Sequence, residues 1–233
     1  MKIVNYKKFN EILPTSKCMV FCTCAEANQK HYLDKIKIWF ERYKNFNADF
    51  YVFNDGKILE ENRNFDLNDA ITVIEFDEAY GRPAVGSCCF PGWKRSFAYA
   101  MEFSLKYDYV CHIENDVFIK DLEVFKTVLF TNDVISSTLC SNYNWIESSI
   151  LILNNKSIRE KLFNHFKEHN VIYGNNCFEF ELQTQLNGYA KYGDSIRLER
   201  EIDLRNMHSE KYPVLNQCSI EQLIELHNIY CPK

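Results

Sequence analysis

Apolar residues follow two rhythms along this chain. CMVFCTC (18–24) is apolar but for Thr23 and short enough for a buried strand. In NQKHYLDKIKIWFERYKNF (28–46), Tyr32, Ile36, Trp39, Phe40 and Tyr43 recur at helical spacing and predict an amphipathic helix. ADFYVFNDG (48–56) predicts a second strand closed by a turn, and AITVIEF (70–76) a third. GWKRSFAYAMEFSLKYD (92–108) predicts a second helix, with Pro91 and Gly92 at its start, and YVCHI (109–113) a fourth strand. Strand, helix, strand, strand, helix, strand predicts an α/β/α sandwich, Rossmann-like, with a mostly parallel central sheet.

The second half is less regular. VFKTVLFTNDVISS predicts a short helix and then a strand, and SSILILNN (148–155) a clear strand. A helix follows from about Ser157 to His169, then VIYGNNC as a polar loop, then FEFELQTQLNGY as a helix closed by Gly188. The tail from Gly193 onward predicts only short elements and turns. No repeat, low-complexity segment or Pro/Gly/Ser linker divides the chain, so 1–233 is expected to form one domain.

Composition adds exclusions. The net charge of −5 argues against general nucleic-acid binding. No run approaches the ~18 apolar residues of a membrane span, and MKIVNYKKFNEILP lacks the apolar core of a signal peptide. The ten cysteines include no C-x-x-C pair, and Cys18, Cys22, Cys24 and Cys111 lie in strand-like runs. They are expected to be reduced core thiols in the cytoplasm.

The candidate chemistry sits in YVCHIENDVFI (109–119). Ligands of open α/β sheets gather beyond the carboxyl ends of strands, and Glu114, Asn115 and Asp116 stand at such an end. Two carboxylates there either turn out into solvent or hold a hard cation, and Mg²⁺ and Mn²⁺ suit carboxylate plus phosphate oxygens. In PGWKR (91–95), a helix N-terminus attracts anions, Lys94 and Arg95 add positive charge, and Trp93 is placed to wall a nucleotide.

WKRSFAYAMEFSLKYDY leading into VCHIENDVFI resembles the centre of the GT-A glycosyltransferases, which use nucleotide-sugars. CMVFCTC, YVFNDG and SSILILNN extend the resemblance in order over roughly 18–190. It implies that Glu114-Asn115-Asp116 is a variant of the Asp-x-Asp motif. Glu114 and Asp116 would hold Mn²⁺ or Mg²⁺ on the donor diphosphate, with Asn115 beside them. Glu in place of the first Asp leaves open which carboxylate touches the metal. The resemblance further implies a nucleotide-binding half near 18–120 and an acceptor half near 121–233. Asp55 would contact the nucleoside, Thr23 its edge, and His208 would be a late metal ligand. An inverting enzyme of this type keeps a catalytic base on a late helix, here Glu179 with Glu181 in reserve; a retaining enzyme needs none. The two glutamates flank the stripe of Phe178, Leu182 and Leu186 on opposite sides. Tyr143, Trp145 and Glu147 are candidates for the acceptor side. The implied partners are a nucleotide-sugar, UDP-sugar favoured, and a glycan or glycolipid acceptor, with peripheral membrane contact and a place among bacterial surface-polysaccharide enzymes. A sugar nucleotidyltransferase competes, although CTCAEANQK lacks the glycine of a phosphate loop. So does a nucleotide- or carbohydrate-binding protein without turnover.

Overall fold

The computed structural model describes residues 1–24, 31–63, 68–81, 90–139, 145–186, 188–198 and 209–231; at 138, 139 and 145 it describes backbone only. Strand β2 (Cys18–Cys24) is buried at every residue, which explains its almost wholly apolar sequence. Alternate residues serve opposite faces. Val20 and Cys22 pack with Trp39, Phe40 and Tyr43 of helix α1 (Tyr32–Tyr43). Met19 and Phe21 pack with Phe97, Met101 and Phe103 of helix α2 (Pro91–Ser104).

The other strands are β1 (Lys2–Asn5), β3 (Asp49–Asn54), β4 (Ile71–Glu75), β5 (Tyr109–Ile113), β6 (Phe118–Ile119), β7 (Val134–Leu139), β8 (Trp145–Leu153), β9 (Ala190–Arg197) and β10 (Val214–Asn216). They join one sheet in the order β1-β4-β3-β2-β5-β8-β7-β9-β10-β6. Six of its nine strand pairings are parallel; β5–β8, β7–β8 and β6–β10 are antiparallel. The remaining α-helices among the described residues are α3 (Leu122–Thr131), α4 (Lys156–Phe166), α5 (His169–Ile172), α6 (Phe178–Gln185) and α7 (Ile220–Tyr230).

Several boundaries differ from the sequence reading. The helix expected over 92–108 ends at Ser104, because the Asp108 and Tyr109 amides bond the Lys17 carbonyl and start β5. The helix expected over 157–169 stops at Phe166 and resumes as α5, burying Val171 and Ile172 of the supposed polar loop. The tail holds more order than expected. A capping box of Ser219 and Gln222 starts α7, which packs on α1. There Arg42 of α1 donates to the carbonyls of Ile119 (2.6 Å) and Lys120 (2.9 Å), tying the tail side of the molecule to the segment after Asp116.

Candidate active site

The carboxyl ends of β2, β3 and β5 open into a cavity of about 190 Å³. Strand order arranges its walls in a line. Asp55 follows β3; Thr23 and Cys24 end β2; Glu114, Asn115 and Asp116 follow β5; Glu147 and Ser148 lie on β8; Arg197 ends β9 and Gln217 follows β10. Trp93, Phe178 and Glu179 line it from α2 and α6.

A turn sets the central acids. The Val117 amide donates to the Glu114 carbonyl (3.2 Å), so Glu114 and Asp116 are the first and third residues of a reverse turn rather than of an extended strand. The Glu114 amide bonds the Ser149 carbonyl (3.0 Å), and the Asp116 carbonyl accepts from the Cys218 amide (2.9 Å). Burial pushes the Glu114 carboxyl well above its ordinary value, and the charges of Asp116, Glu147 and Glu179 push it further. Glu147 is raised by burial too, although Arg197 lies 3.2 Å away and pulls it down.

Beneath the acids lies His112, fully buried, whose pKa burial lowers to about 3. It is therefore neutral. Its Nδ1 is 2.9 Å from the Ser148 carbonyl, which only accepts, so Nδ1 carries the proton. Nε2 then accepts from the Thr23 hydroxyl at 3.3 Å, leaving Thr23 lone pairs for the cavity.

The residues of PGWKR do three different things. Trp93 stacks on Phe97 and walls the cavity. Lys94 lies off the cavity wall, contrary to its expected role. It is fully buried, and its ammonium donates to the carbonyls of Val171 (2.9 Å), Asn176 (2.9 Å) and Gly174 (3.4 Å). Arg95 is also buried off the wall. It pairs with Asp55, donates to the Glu78 carbonyl (2.7 Å) and lies 3.6 Å from the Tyr80 ring centre. Helical rotation explains the split, since consecutive residues point ~100° apart. Asp55 lines the cavity with its charge matched, accepting also from the Tyr80 and Gly81 amides (3.1 and 2.8 Å).

On α6 the glutamates point apart. Glu179 lines the cavity and accepts from the Ser148 hydroxyl at 3.0 Å. Glu181 lies off the wall, bonded to Asn176 (2.6 Å) and His165 (2.8 Å). Burial raises its pKa, but those hydrogen bonds outweigh burial and hold it below the usual range. Tyr143, His208 and the Trp145 side chain lie outside the described residues. Arg197, Ser148 and Gln217 were not singled out from the sequence; Arg197 sits in a half-exposed strand, AKYGDSIR, with no sharp alternation.

Among the described residues, no three His, Cys, Asp or Glu side chains converge as a self-sufficient metal site. The two carboxylates of the turn suit a hard cation that takes its other ligands from a substrate's phosphates.

No protein-family profile matches this chain, and no curated protein does. Solved structures do. The galactosyltransferase LgtC, in complex with donor and acceptor sugar analogues, superposes with a TM-score of 0.57 at 15% identity over 93% of this chain and 97% of its own. The bifunctional glycosyltransferase WbbM gives 0.54 at 11% identity, over 91% of this chain and 50% of its own. A glycosyltransferase involved in glycosylation of the major capsid of PBCV-1 gives 0.52 at 12% identity, over 90% of this chain and 99% of its own. The chain thus has the GT-A fold of the nucleotide-sugar glycosyltransferases.

Proposed function

We propose that this chain is a metal-dependent glycosyltransferase that moves a sugar from a nucleotide-sugar to a hydroxyl of a glycan or glycolipid. The observation that carries the reading is the turn at the end of β5, which sets Glu114 and Asp116 side by side on the cavity wall. The line of strands supplies an order of subsites. The nucleoside lies at the Asp55 and Thr23 end, the diphosphate at Glu114 and Asp116, and the sugar toward Glu147, Ser148 and Glu179. Mn²⁺ or Mg²⁺ would be held by Glu114 and Asp116 together with diphosphate oxygens, with His208 a further candidate ligand. When bound, the cation offsets the charge that develops on the departing nucleoside diphosphate.

The chain's own residues do the rest. Trp93 excludes water from one wall, and the Ser148 hydroxyl orients the Glu179 carboxylate. For an inverting transfer Glu179 takes the acceptor's hydroxyl proton; of the two glutamates on α6 it alone lines the cavity. We favour a UDP-sugar donor and a cytoplasmic role in surface-polysaccharide assembly, with peripheral contact to a membrane that carries a lipid-linked acceptor. The neighbours LgtC and WbbM support the glycosyltransferase reading by fold alone.

Asp116→Ala tests the reading. Calorimetry with UDP-glucose and Mn²⁺ should show donor binding lost while the circular dichroism spectrum is unchanged. Unaltered affinity would sink the metal-site assignment. In the parent, binding with no hydrolysis and no transfer would favour a binding protein of the same fold.

A further inference from the structure

The far end of the cavity is lined mostly by acidic side chains. Beyond Glu114, its described wall carries Glu147, Glu179 and Arg197. Arg197 is the only cation among the described lining residues, and it is already engaged: its Nε and Nη2 both lie 3.2 Å from the same Glu147 oxygen. Glu147 is 3% exposed, so little solvent screens that pair. Among the described residues, Glu179 accepts from a neutral partner, the Ser148 hydroxyl. What faces a ligand here is a set of hydrogen-bond acceptors with a residual negative charge.

Resting on the glycosyltransferase reading, we infer that the transferred sugar is neutral, a hexose or N-acetylhexosamine read through its hydroxyls, and that uronate donors are rejected by the Glu147–Arg197 pair and Glu179. Sugar hydroxyls donate to carboxylates at no charge cost. A uronate would bring a second carboxylate to a place where the one guanidinium among the described lining residues is occupied. Like charges about 6 Å apart at an effective dielectric near 20 repel enough for roughly a 100-fold loss, less where water enters. Discrimination then comes from an unmatched charge rather than from shape.

The test is direct binding with Mn²⁺ to matched pairs: UDP-glucose against UDP-glucuronate, and GDP-mannose against GDP-mannuronate. Expected is a uronate affinity roughly 10- to 100-fold weaker within the pair whose base the protein accepts. Glu147→Gln releases Arg197 and should narrow that gap or invert it, whereas Arg197→Gln should widen it. Equal affinities in the parent would overturn the inference while leaving the glycosyltransferase reading intact. If neither pair binds, the same comparison is made with a CMP-linked acidic sugar against its neutral analogue and dTDP-glucose against dTDP-glucuronate, and binding of none of these would overturn that reading and the inference with it. The parent comparison decides the matter even if Glu147→Gln fails to fold. If the variant folds and the gap is unchanged, the pair is not what rejects the uronate.

Discussion

At the residue scale, Glu179 and Glu181 show how one helical turn separates chemistry from support. Their sequence neighbours are alike, and both lie in the first turn of α6. Glu179→Gln should lower kcat by ~10²–10⁴ in an inverting transfer, the range for loss of general base help, with donor affinity little changed. Single-turnover kinetics and product anomeric configuration by NMR check this; a retained configuration removes the base assignment. Glu181→Gln should leave turnover near that of the parent but cost about 1–2 kcal/mol of stability, because it weakens the hydrogen bonds to His165 and Asn176. That cost depends on pH. A carboxyl held lower in the folded chain contributes stability that is complete above its unfolded value, near ~4.3. It is lost as pH falls through the folded value. The difference in urea midpoint between parent and Glu181→Gln should thus be full at pH 6 and shrink below about pH 4. The sequence showed that the two acids flank an apolar stripe. It did not show which flank meets the cavity, because that depends on how α6 lies over β8.

At the scale of elements, the start of α2 is where the sequence reading and the structure part most. A basic pair at a helix N-terminus reads as an anion site, yet both charges are used inside the protein. Lys94 gathers three carbonyls of the segment that leads into α6. Its ammonium holds the Glu179-bearing helix against α2. Lys94→Met removes a donor from all three, although the Val171 carbonyl still accepts from the Gly174 amide (3.3 Å), and should cost about 2 kcal/mol. Hydrogen exchange should speed up over 171–177 before the sheet responds, and an unchanged urea midpoint would show that the ammonium carries no structural load. Gly92 belongs to the same junction, since a Cβ there would overlap the Asp55 carboxylate. Gly92→Ala is expected to displace Asp55 from Arg95 and weaken nucleotide binding by about tenfold, the scale of one lost charge-assisted hydrogen bond. Titration with UDP and Mn²⁺ measures it.

At the scale of the whole molecule, a ligand that binds only the folded chain stabilises it. At a hundred times Kd, a sugar nucleotide with Mn²⁺ should add about 2.7 kcal/mol and raise Tm by roughly 5–10 °C. Mn²⁺ alone should do much less, because the turn at β5 offers two carboxylates and the diphosphate supplies other ligands. A thermal-shift panel of UDP-, GDP-, CMP- and dTDP-sugars reads this directly, and no shift with any of them would count against the donor cavity. The sequence alone picked out four neighbouring parallel strands, β2 to β5. Residues 18–24 and 109–113 read as β2 and β5 at their observed bounds, because strands covered on both faces are apolar at nearly every position. It also placed Glu114 and Asp116 at a strand end, where such sheets collect ligands. It missed β1 and gave the tail only short elements and turns, although the Ser219–Gln222 capping box of α7 was there to be read. Only the tertiary structure decided the charge layout of the cavity. Arg197 meets Glu147 across 50 residues and Arg95 meets Asp55 across 40. Such pairings are set by the order of strands in the sheet and the rotation of helices upon it, and local spacing carries no record of either.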